Sequence, residues 1–105
     1  MGKNRIVRIL GKLIAGMIAH RILEKYSNKK ESLNHLRMEV NNYRDNIYEY
    51  FKKFNWNTDD KKRIKEKTLK NLKSEFKKPH FSDVKFPMNE AEKFIDETLK
   101  EIFVF

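Results

Sequence analysis

The residues whose types could support acid–base or metal chemistry are few. Three histidines stand at positions 20, 35 and 80, each in a different segment. Glu31, His35 and Glu39 fall at four-residue steps. On a helix that spacing stacks them on one face and offers ligands to a metal. His20 and Glu24 repeat the spacing, and Asp45 and Glu49 are a carboxylate pair four apart. Two or three such residues on a surface helix are common by chance, and Asp45 and Glu49 lie on a helix rich in opposite charges, where a solvated face accounts for them better than proton transfer does. The absence of cysteine excludes disulfides, thiolate metal sites and cysteine nucleophiles. No glycine-rich phosphate loop, nucleophile elbow or paired-histidine helix motif occurs. The expectation is a protein that is not an enzyme, with no catalytic residue, metal, cofactor or small-molecule substrate.

Cationic chemistry is abundant by comparison. The 105 residues carry a formal net charge of +9, unevenly placed. Residues 1–30 hold eight Lys/Arg against one Glu, giving +7, and residues 61–80 hold nine against two, again +7. Residues 31–60 and 81–105 come to −2 and −3. Such asymmetry points to an anionic partner, or to a solvated surface with internal pairing. Lys62, Arg63, Lys67, Lys70, Lys73, Lys77 and Lys78 surround the thin apolar stripe of Ile64, Leu69, Leu72 and Phe76. A wide face of this kind can follow a phosphate backbone without reading its sequence. The alternative is a solubilising outer face, and the excess of lysine over arginine leans that way. Tyr48, Tyr50, Phe51, Phe54 and Trp56 around Lys52 and Lys53 could stack bases, but Tyr50 and Phe54 fit core packing better.

These residues need helices to position them. Three Gly and two Pro among 105 residues leave few breakers. Eight Phe, four Tyr and one Trp supply an apolar content that a disordered chain of this charge lacks. A first helix is predicted from Lys3 to Tyr26. Ile6, Val7, Ile9, Leu10, Leu13, Ile14, Met17 and Ile18 form one apolar arc, with Arg5, Arg8 and Lys12 opposite. After Ile18 the pattern shifts to Ile22, Leu23 and Tyr26. Gly11, Ala15 and Ala19 form a row of small residues along which another helix can approach closely.

A second helix is predicted from about Ser32 to Phe54. Its seam of Leu33, Leu36, Val40, Tyr43, Ile47, Tyr50 and Phe54 alternates steps of three and four, which suits a helical bundle or a coiled-coil dimer. A third, capped by Asn57 or Thr58, runs to about Lys78, where Pro79 stops it. Residues 80–88, between Pro79 and Pro87, read as an extended strap. Asn89 with Glu92 resembles a capping box, opening a last helix from Glu90 with Ala91, Phe94, Ile95, Leu99, Ile102 and Phe103 on its apolar face.

The fold expected is therefore all-α: one domain over 1–105, an up-and-down bundle of about four helices with a Pro-bracketed strap before the last. The uncharged apolar run Leu13–Ala19 falls far short of the roughly 20 residues a membrane span needs, and a cytoplasmic protein is expected. The leading functional expectation is a non-catalytic nucleic-acid-binding module, contacting phosphates through the lysine-rich helix. One alternative is a homo-oligomeric interaction module, with Ile6, Leu10, Leu13 and Met17 at the interface. A second is peripheral binding to an anionic membrane surface through the first helix.

Overall fold

The structure is a computed structural model that describes residues 2–26, 33–78 and 88–103. Four helices make up the fold of the described residues: α1 (Lys3–Tyr26), α2 (Leu33–Phe51), α3 (Thr58–Glu75) and α4 (Met88–Phe103). No strand occurs among the described residues. The fold is an all-α bundle, as the periodicity predicts. The expected strap lies almost wholly outside the described residues.

The helix ends have local causes. Asn57 caps α3: its side chain accepts from the Asp60 amide at 2.8 Å, and the Asp60 carboxylate accepts from the Asn57 amide at 3.2 Å. This reciprocal pair satisfies two N–H groups that a helix start leaves unpaired. Helix α2 stops at Phe51, three residues before the predicted end. The Trp56 indole N–H donates to the Phe51 carbonyl at 2.6 Å, and the Lys53 amide turns back to Tyr50. Those bonds tighten the last turn, while Phe54 still packs against the core.

Helix α1 is the hub. At about 1.5 Å per residue, its 24 residues run nearly the length of the molecule, which measures 40 × 26 × 23 Å. It packs most extensively on α2 and α3, and also touches α4. Pairs along the axis give the directions. Glu24 meets Arg37 and Gly16 meets Tyr43, so α1 and α2 are antiparallel. Lys3 meets Asp60, Asn4 meets Arg63 and Gly11 meets Lys67, so α1 and α3 are parallel. Arg21 meets Glu101 while Lys25 lies over Phe94, which sets α4 antiparallel to α1.

A helix with neighbours on several sides needs apolar residues on several sides. Among the described residues, α1 supplies nine of seventeen buried apolar side chains: Ile6, Val7, Leu10, Ile14, Ala15, Met17, Ile18, Ala19 and Ile22. Burying each large one stabilises the fold by about 1.5–3 kcal/mol. The shift of the apolar arc after Ile18 thus follows from the hub position. It also corrects the interface expectation. Ile6, Leu10 and Met17 are at most 1% exposed within a single chain, and Leu13 packs against the same core. These side chains hold α1 to its own neighbours.

The α2 seam faces α1. Val40 and Ile47 are buried, and Tyr43, Tyr50 and Phe54 pack against the core. The side chains of Leu33 and Leu36 lie outside the described residues. The remaining core comes from Ile64 and Leu72 of α3 and from Ala91, Ile95, Leu99 and Ile102 of α4.

Candidate nucleic-acid interface

The seven cations singled out on α3 and just beyond its end are all exposed: Lys62, Arg63, Lys67, Lys70, Lys73, Lys77 and Lys78. The apolar stripe turns inward, with Ile64 and Leu72 fully buried and Leu69 and Phe76 partly so. Thr68 joins the buried side, where its hydroxyl donates to the Ile64 carbonyl at 2.7 Å.

Pairing divides these cations. Lys65, toward α4, binds Asp96 at 2.8 Å. That hydrogen bond, more than the surrounding carboxylates, raises the Lys65 ammonium above its ordinary value. Arg63 donates to the Asn4 side chain at 2.5 Å, and Lys78 pairs with Glu75 at 2.8 Å. Lys62, Lys67, Lys70, Lys73 and Lys77 have no carboxylate partner among the described residues. The acidic residues of α4 therefore neutralise one flank of α3 and leave the opposite flank positive.

A second set of cations joins that flank. Helix α1 meets α3 at Gly11, where an added β-carbon would lie 2.6 Å from Lys67 Cβ. It meets α2 at Gly16, where one would lie 2.8 Å from the Tyr43 ring. At about 100° per residue these two directions are about 140° apart around α1. Arg8, Lys12 and Arg5 fall inside that sector, at about 60°, 100° and 120° from Gly11. All three are exposed, and none has a carboxylate partner among the described residues. They form the floor of a groove whose walls are α2 and α3. Sequence reasoning placed them on a separate face of α1, because a linear pattern does not say which helices flank that face.

The groove ends in an open cleft of about 410 Å³, lined by Lys12, Leu13, Gly16, Tyr43, Asn71, Ser74, Glu75 and Lys78. Tyr43 sits over Gly16, with its ring 5.2 Å from that of His20. Burial first, and the nearby Glu39 and Glu75 next, raise its phenol above the ordinary value. Lys3 stands at the N-terminal end of α1. It binds Asp60 at 2.5 Å and the Asn55 carbonyl at 2.9 Å, and lies over the Trp56 ring at 5.4 Å.

No group of three or more His, Asp or Glu suited to a metal occurs among the described residues. His20 Nδ1 is 2.8 Å from the Gly16 carbonyl. Glu31 and the His35 side chain lie outside the described residues. Asp45 and Glu49 are exposed, and Glu49 pairs with Lys52 at 3.0 Å. No helix among the described residues is long and apolar enough to cross a membrane. Comparison with protein families, with curated proteins and with solved structures finds no match.

Proposed function

We propose that this chain is a non-catalytic nucleic-acid-binding module that holds phosphates on the lysine-rich face of α3. One observation carries the reading: five exposed lysines along one side of the chain, Lys62, Lys67, Lys70, Lys73 and Lys77, have no carboxylate partner among the described residues. Surface charges with no internal partner keep their full attraction for a polyanion, and counterion release then drives association. Lysine ammonium groups act as point charges, so they position a phosphate backbone and carry little sequence preference. The homo-oligomer alternative drew on the apolar arc of α1 or the α2 seam, and the membrane-surface alternative on that arc with Arg5, Arg8 and Lys12 opposite; burial of Ile6, Leu10 and Met17 within the single chain favours the nucleic-acid reading over both.

The test is binding of labelled DNA and RNA, single- and double-stranded, between about 50 and 200 mM salt. The reading expects binding at the lower salt that weakens steeply toward the higher. Absence of binding at low salt to every one of these ligands overturns it.

A further inference from the structure

We infer that the ligand is a single strand lying lengthwise in the groove between α2 and α3, its phosphates between Arg8, Lys12, Lys67 and Lys70 and one base in the Tyr43 cleft. This inference rests on the nucleic-acid reading and goes beyond it, since it moves the centre of binding from the outer face of α3 to the groove.

Three observations carry it. First, Gly11 brings Lys67 against α1, one residue from Lys12 and three from Arg8. On α3, Arg63 and Lys70 lie within about 60° of Lys67, whereas Lys62 and Lys73 point about 120–140° away. Arg8 and Lys12 of α1 and Lys67 and Lys70 of α3, none with a carboxylate partner among the described residues, therefore lie toward the groove, while Lys62 and Lys73 face open solvent. Second, the two walls differ in chemistry. The α3 wall is cationic. On α2, Tyr43 is partly buried and lines the cleft, and Tyr50 lies two turns on along the same side, with Lys53 Nζ 5.0 Å from its ring centroid. A cationic track facing aromatic rings is the arrangement that binds a strand by its backbone and stacks its bases. Third, within the cleft Lys78 is held by Glu75 at 2.8 Å, which leaves Lys12 as the lining cation without a carboxylate partner among the described residues. Asn71 and Ser74 offer donors and acceptors there. An uncharged heterocycle suits that end, and phosphates suit the stretch floored by Arg8 and Lys12. A duplex turns its bases inward and can present only a phosphate ridge to this groove. A single strand can enter it.

The experiment compares two double variants of equal charge change, Arg8→Gln with Lys12→Gln and Lys62→Gln with Lys73→Gln. Binding to labelled oligothymidylate and to a duplex of equal length is read by fluorescence anisotropy, with helicity checked by circular dichroism. All four positions are exposed, so both variants should fold. The groove pair should lose about 1.4 from the logarithmic salt slope on the single strand, at roughly 0.7 per phosphate. The outer pair should lose clearly less than the groove pair. Tyr43→Leu should weaken single-strand binding by roughly fivefold or more, as removal of one stacked base does, with Tyr43→Phe close to the parent protein. Equal effects of the two pairs, or a parent protein that prefers the duplex, overturn the groove while leaving the nucleic-acid reading in place. No binding to any nucleic acid overturns both.

Discussion

Gly11 of α1 and Lys67 of α3 stand so close that a β-carbon on the glycine would lie 2.6 Å from Lys67 Cβ and 3.3 Å from the Lys67 carbonyl carbon. The obstacle is the root of a side chain and its backbone, so neither can swing aside. Two parallel helices are locked at this point, and the cationic side of α3 is thereby brought against Arg8 and Lys12.

Gly11→Ala should destabilise the protein by about 1–3 kcal/mol through overpacking, even though alanine favours helix by nearly 1 kcal/mol. Gly16→Ala should be milder, because its obstacle is the outer edge of the Tyr43 ring, which can pivot. Thermal unfolding followed by circular dichroism ranks the two. An unchanged midpoint for Gly11→Ala would mean that α1 and α3 are not locked here.

Ile47 is 1% exposed and faces α1, whereas Met38 on the same helix is 65% exposed. Ile47→Asp should cost several kcal/mol, since an unpartnered charge enters the core. Met38→Asp should stay within about 0.5 kcal/mol of the parent. Urea unfolding of both variants checks this, and similar midpoints would place the seam in water.

Deleting residues 1–12 removes Ile6, Val7 and Leu10, each at most 1% exposed, together with the Lys3 bonds to Asp60 and Asn55. The expected outcome is loss of cooperative unfolding. A truncated chain that still unfolds in one sharp transition would show that the first turns of α1 are dispensable to the core.

Asp60 titrates below its ordinary value of 3.8, chiefly because Lys3 donates to its carboxylate, with the Asn57 amide and the Arg63 charge adding to the effect. A carboxyl lowered on folding contributes its full stability above the ordinary value, and loses it as pH falls through the lower, folded one. The contribution should therefore disappear below about pH 4. Asp60→Asn should be less stable than the parent at neutral pH, and the gap should close in acid. Denaturant midpoints between about pH 2 and 7 test this. A gap that does not change with pH would assign the effect to capping rather than to charge.

Lys70, Lys73 and Lys77 changed together to Gln should flatten the salt dependence of duplex binding by roughly 0.9 for each phosphate no longer neutralised. Stability should change little, because all three are exposed and have no carboxylate partner among the described residues. An unaltered slope would remove this face from the interface.

The sequence by itself determined the helices and their inward faces. The spacing of Val40, Tyr43 and Ile47, the cap at Asn57 and the lysines flanking Leu72 are local patterns. Hydrogen bonding within a helix and the burial of one face are properties of residues close in the chain. Only the tertiary structure decided what each face meets. The arc on α1 could serve a partner chain, a lipid surface or the chain's own helices equally well, because periodicity records that a face is apolar and not what covers it. The row begun by Gly11 announced a close approach without naming the helix. That helix is α3, parallel and two elements on, rather than the antiparallel neighbour α2. The groove follows from the same choice. Arg8 and Lys67 are 59 positions apart in the chain, and only the docking of α3 at Gly11, where no side chain holds the helices apart, sets Lys67 one helical turn from Arg8 along α1.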